Sequence, residues 1–218
     1  MSRKIVLRIA HRVAAGLALL PVLGHAGSLD VTLTDARGQL LEGIGIVVDA
    51  PGPVQTGATP PLAVIDQRHE QFVPRVLIVQ RGTEVAFPNT DRVQHHVYSF
   101  SPAKQFELAL YRGNEHPPVV FEHSGIVVLG CNIHDHMIGY VLVVDSPYFA
   151  FSGHDGRANF AGLPNDSVKV TVWHPDLGIG YGRINRTVDL ASGEAHVDIR
   201  IDQAWRPQQE ASLSWNDY

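Results

Sequence analysis

Cysteine is nearly absent from this chain: Cys131 is the one thiol in 218 residues, so no internal disulfide can brace the fold. Charge is sparse, at 18% of residues, and leans acidic, with 22 Asp and Glu against 17 Lys and Arg. That balance leaves no basic footprint for a nucleic acid. Long apolar runs are missing too: the N-terminal one, Val13 to Gly24, has about 12 residues where a bilayer-spanning helix needs roughly 20. No Ser/His/Asp order, phosphate-cradling glycine loop or paired carboxylates stand out, so no catalytic reaction is expected. The glycines of "GIGYGR" (178–183) follow no helix signal and read as a turn. What is present is enough apolar material, 44% of residues, for a folded protein of one or two domains.

Arg3, Lys4, Arg8 and Arg12 precede the Val13–Gly24 run, and small residues follow it. This is the order of a cleavable secretory signal, with cleavage expected near Ala26 and no membrane span left in the mature chain. Losing those four basic residues takes the formal net charge from -5 to -9. An unpaired thiol sent to an oxidising compartment needs protection, by burial or by a metal.

Beyond this segment helical periodicity is hard to find. Short runs rich in valine, isoleucine and aromatics recur instead, punctuated by Gly, Pro, Asn and Asp, which indicates an all-β chain. Thirteen runs qualify as strands, from "LDVTLTD" and "IGIVVDA" through "HVYSFS", "GIVVLGC" and "GYVLVVD" to "VKVTVWH" and "HVDIRI". That is more than one small sandwich usually holds. The Pro/Gly/Thr-rich stretch from Ala50 to Leu62 reads as a linker, "DSPYFAF" from Asp145 as a second junction, and the polar residues after Ile201 as a frayed tail. Two β units are expected.

The chemistry concentrates in "GCNIHDHMIGY" (130–140). Strand-like runs flank it, so Cys131 to Met137 reads as a tight loop that can turn a thiolate, an imidazole and a thioether toward one point. Such a soft, mixed donor set suits copper, and two histidines, one cysteine and a weak axial methionine form the blue-copper electron-transfer arrangement. The missing imidazole is offered by His95 or His96 in "FPNTDRVQHHVYSF". Adjacent strand residues point to opposite faces, so at most one of them faces the loop; alternation does not choose between them. Zinc held by His95, Cys131 and His134 is the chemical alternative. His69, His116, His123, His154, His174 and His196 stand singly and read as structural or solvated.

"NTDRVQHHV" and "CNIHDHM" together resemble the cupredoxins, and among them the amicyanins, with their closing C-x-x-H-x-x-M motif and an Asn six residues before the first ligand histidine. The resemblance implies a Greek-key cupredoxin sandwich holding one type 1 copper ion through His95, Cys131, His134 and Met137. It also implies that Asn89 ties the two ligand loops together, although a turn role in "PNTD" suits that residue as well. His96 and His136 are placed around the ligands; His136 stands where relatives carry Trp or Phe, a departure that replaces an apolar docking surface by a titratable group. Over almost the whole mature chain, segments such as "DQRHEQFVPRVLIVQRGTEVAFPNTD" and "LGCNIHDHMIGYVLVVDSPYFA" are similar to bacterial periplasmic proteins labelled methylamine utilization proteins.

"VTLTDARGQLLEGIGIVV" and "FSGHDGRANFAGLPNDSVKVTVWHP" resemble the two halves of a carboxypeptidase-regulatory-like, Ig-like β-sandwich. The organisation this implies is a signal at 1–26, a discontinuous sandwich from 28–55 plus 147–202, a cupredoxin domain at 63–146 and a tail at 203–218. The second sandwich is expected to act as a spacer, with Trp173 as its one candidate aromatic contact for a glycan or cell-envelope partner. The function expected is that of a periplasmic carrier of single electrons between redox protein partners, not an enzyme. The alternatives are a copper carrier or storage module without redox cycling, and a metal-free interaction module.

Overall fold

The computed structural model describes residues 27–50, 60–177 and 183–202. The expected signal, most of the proline-rich stretch, residues 178–182 and the tail from 203 lie outside the described residues. Among the described residues every regular element is a strand: β1 (Gly27–Asp35), β2 (Gly45–Asp49), β3 (Ala63–Val64), β4 (Asp66–Arg68), β5 (Gln71–Val73), β6 (Val76–Gln80), β7 (Glu84–Ala86), β8 (His95–Ser101), β9 (Lys104–Tyr111), β10 (Val119–Val120), β11 (Gly125–Gly130), β12 (Ile138–Val144), β13 (Phe149–Phe151), β14 (Arg157–Leu163), β15 (Ser167–Trp173), β16 (Arg183–Asp189) and β17 (Glu194–Ile201). The expected all-β sandwich class is the one observed. Each of the thirteen runs read from the sequence contains a strand, although "TEVAFPN" and "PVVFEH" hold only the short β7 and β10; β3, β4, β5 and β13, each two or three residues long, fall outside those runs.

Alternation builds the first core. Leu29, Val31 and Leu33 of β1 are fully buried while Asp30 between them is exposed, the signature of a strand with one face on a core. The sheet β14-β1-β17 packs them against Ile46 and Val48 of β2 and Val168, Val170 and Val172 of β15, in the facing sheet β13-β2-β15-β16. A second core gathers Val97, Val127, Leu129, Val141 and Val143 from the five-stranded sheet β6-β12-β11-β8-β9 with Val85 and Phe87 from the opposite side, where β10-β7-β3 lies.

β12, with the sequence IGYVLVV, does not alternate, and its surroundings show why. Val141 and Val143 face the second core, whereas Leu142 and Val144 face outward into a third cluster with Val76 and Ile78 of β6, Val47 of β2 and Trp173 of β15. β6 and β12 run parallel, and a parallel pair covered on both faces reads as a continuous apolar run. This seam joins the two sandwiches. Trp173 is fully buried in it, so the candidate glycan contact faces an apolar wall instead of solvent; truncating a side chain of this kind in a core costs about 3–5 kcal/mol. Gly45 permits the approach, since a Cβ there would lie 2.7 Å from Ile78 Cδ1. Arg75 and Asp176 form an ion pair across the same seam.

The core around Val97 and Leu129 also fixes where the histidines, the thiol and the thioether meet. β8 begins at His95, β11 ends at Gly130 and β12 begins at Ile138. Gly130 is in register with both Ile138 and Tyr98. These strand ends therefore lie at one edge of the sandwich.

Candidate metal centre

The hairpin between β11 and β12 is closed by residues 131–137, and its loop is braced internally by the Met137 amide, which donates to the His134 carbonyl at 2.9 Å. Tyr98 lies over Gly130, where a Cβ would sit 2.8 Å from the ring; glycine thus lets the aromatic cover the backbone just before the thiol. Cys131 and Met137 are buried in the same apolar core, so the thiol is shielded as an unpaired one must be. His134 remains partly open to solvent.

His95 enters from the neighbouring strand β8, fully buried. Its Nδ1 lies 3.1 Å from His134 Nδ1 and 3.9 Å from Cys131 Sγ, and the remaining Cys131 Sγ to His134 Nδ1 separation is 3.6 Å. Metal bonds run to about 2.0–2.1 Å for imidazole and about 2.3 Å for thiolate. Each separation is shorter than the sum of two such bonds, so one ion can touch all three atoms. Among the described residues this is the group of His, Cys, Asp and Glu that could hold a metal. Two imidazole nitrogens and a cysteine sulfur, with a methionine in the same loop, are a donor set that fits copper.

Of the predicted site residues, then, the structure brings His95, Cys131 and His134 together and buries Met137 in the same core cluster as Cys131. His96 goes elsewhere: its Nε2 meets Glu107 Oε1 at 2.8 Å, at a point where the β8–β9 register shifts between His95 and Val97. His136 is exposed, its Nε2 3.3 Å from Glu70 Oε2, while the other oxygen of Glu70 lies 3.8 Å from His134 Nε2. Asn89 does not join the two ligand loops. Its Nδ2 donates to the carbonyls of Val93 and Tyr111, its Oδ1 accepts from the Asp91 amide, and none of its hydrogen bonds among the described residues reaches 131–137. It organises the turn leading into β8 and anchors that turn to the end of β9, so the tie expected from the resemblance is replaced by a local one.

Two residues escaped the sequence reading. Asp91 Oδ2 lies 2.9 Å from His95 Nε2 and also accepts the Glu70 amide at 2.8 Å, while Oδ1 accepts the Arg92 amide at 2.7 Å. Burial raises the pKa of the Asp91 carboxyl, but these hydrogen bonds and the neighbouring His95 outweigh that and hold it below the usual carboxylate range. Glu70 is the second, brought to the site by the β4–β5 turn. An acidic residue four positions before a candidate ligand was visible in "DRVQH"; the approach of Glu70 across more than sixty residues was not.

No known family profile matches the chain, and neither does any curated protein. Among solved structures it is similar to a novel purple cupredoxin from Nitrosopumilus maritimus, at 24% identity and a TM-score of 0.34, over 38% of this chain and 99% of that one. It is also similar to a Cu-containing nitrite reductase from Thermus scotoductus, at 25% identity and a TM-score of 0.37, over 43% of this chain and 25% of the reductase. A reduced Cu(I) form of amicyanin is similar at 18% identity and a TM-score of 0.35, over 45% of this chain and 98% of amicyanin.

Proposed function

We propose that this chain is a mononuclear copper protein that carries single electrons between partner proteins in the periplasm. The observation that carries the reading is the convergence of two imidazole nitrogens and one thiol sulfur, 3.1 to 3.9 Å apart, at a buried edge of a β sandwich. His95, Cys131 and His134 would hold the ion, with Met137 as a weak fourth donor. Bound copper would supply a one-electron couple.

The protein's part is constraint. His95 opens β8 and Cys131 directly follows β11, the strand paired with it, with a packed core behind both, so their atoms can shift little, and a site that shifts little has little to reorganise when charge changes. Burial of Cys131 excludes water and oxidants from the thiolate, and the apolar surroundings of its sulfur set the potential. Partner access runs through the loop end, where His134 is partly exposed and Ile133 and Val93 present apolar surface at half exposure. His136 and Glu70 make the remainder of that end polar. No catalytic turnover is assigned to the chain, and its export rests on the Arg3 to Gly24 pattern.

The test is the oxidised spectrum of copper-loaded protein. An intense thiolate-to-copper(II) charge-transfer band is expected, lost in Cys131→Ser. A colourless protein at full copper(II) occupancy would overturn the reading in favour of copper carriage or storage.

A further inference from the structure

We infer that Asp91 is the positioning residue of this centre: its carboxylate fixes the His95 ring with Nε2–H bonded and Nδ1 bare toward Cys131 and His134, and its charge favours the copper(II) state. The second half rests on the copper reading; the first half does not.

A carboxylate oxygen accepts and does not donate, so the 2.9 Å contact between Asp91 Oδ2 and His95 Nε2 makes Nε2 the protonated nitrogen. A neutral imidazole has one N–H, which leaves a lone pair on Nδ1, the atom that faces the other two donors. His95 is fully buried, so water does not compete for either nitrogen. Carboxylate–histidine pairs of this kind orient metal ligands and raise their basicity.

The carboxylate is itself held in place. The Glu70 and Arg92 amides bind its two oxygens, and its own amide donates to Asn89 Oδ1 at 3.0 Å. Asn89 in turn reaches the Tyr111 carbonyl at 2.8 Å and pairs its backbone with Gly113. A chain of hydrogen bonds thus runs from the end of β9 to the His95 ring. The Glu70 amide is delivered by a turn in which His69 and Glu70 both have positive φ, 49° and 57°, a conformation that residues with a Cβ seldom adopt. A strained turn aimed at an acceptor is the pattern expected where position matters more than local comfort.

Two measurements on the full-length exported form test this. Nitrogen-15 spectra of metal-free wild-type protein near neutral pH should show His95 as the Nε2–H tautomer. Titration with copper(II) should find Asp91→Asn weaker by about 10–100-fold, with a smaller change for copper(I). Each tenfold difference between the two oxidation states raises the reduction potential by about 59 mV, read by voltammetry on a variant whose thermal melt matches wild type. An Nδ1–H tautomer in the wild type overturns the positioning role, and an unchanged Asp91→Asn potential overturns the charge effect. If wild-type copper protein lacks the charge-transfer band, the electron-carrier reading falls, while the metal-free spectra still decide the role of Asp91.

Discussion

Two identical residues side by side do opposite jobs here. His95 Nδ1 faces the thiol, while His96 points to the other side of β8 and meets the exposed carboxylate of Glu107. His95→Ala should therefore abolish the charge-transfer band of the copper-loaded protein, whereas His96→Ala should leave its position and intensity in place. His96 is itself buried, so its truncation should cost stability through lost packing more than through the Glu107 pair, which an exposed carboxylate makes worth little; paired spectra and denaturant melts check both statements. The choice between the two histidines was half legible. Strand alternation requires that they diverge, but only a family resemblance pointed to His95, and the structure supplies the physical reason in its contacts with Cys131 and His134. Cys131, His134 and Met137 were readable because they share one short loop. Asp91 was overlooked because a turn aspartate looks like any other until its oxygen is seen against a ring nitrogen.

At the scale of elements, long strands were legible and most short ones were not. β8, β11, β12 and β15 carry enough apolar residues to show their class, whereas the β4–β5 hairpin offers Asp-Gln-Arg and Gln-Phe-Val around a turn of His69 and Glu70. Two-residue hairpin turns with positive φ at both positions favour Asn-Gly, so nothing in "RHEQ" announces one. The turn carries a cost: a residue with a Cβ held in the left-handed region costs on the order of 1–3 kcal/mol. Glu70→Gly should relieve part of it and stabilise the metal-free protein by about 1 kcal/mol, a rise in Tm of roughly 2–4 °C for a chain of this size. Its backbone amide would still reach Asp91, so the His95 tautomer should persist. Glu70→Val, which keeps the backbone strained and adds β-branching, should move Tm the other way. If both variants melt like wild type, the turn is not strained in solution.

For the whole molecule the decisive feature is the seam between the sandwiches, which alternation could not reveal because it says which residues leave a core and not what they meet. Val47, Trp173 and Leu142 leave their own cores only to bury themselves against each other. His174 follows Trp173 into this region and is buried beside the Arg75–Asp176 pair, its Nδ1 accepting the Asp176 amide at 3.2 Å. Burial pushes its pKa down to about 4, Asp176 pulls it back up, and Arg75 adds to the fall. The imidazole is therefore neutral when folded, while in the unfolded chain it takes up a proton below about pH 6.5. A depressed histidine pKa means that its stability contribution is complete above about pH 6.5 and is lost as pH falls from there toward 4, on the order of 3 kcal/mol in all. Denaturant unfolding at about pH 7.5 and about pH 5 should show wild type losing stability between the two, with His174→Gln, which cannot charge, losing less. Carboxylates change along the same range in both proteins, so the difference between their slopes isolates the histidine. Equal slopes would mean that His174 gains its proton without opening the seam, and that the contact between the sandwiches is looser than the burial of Trp173 implies.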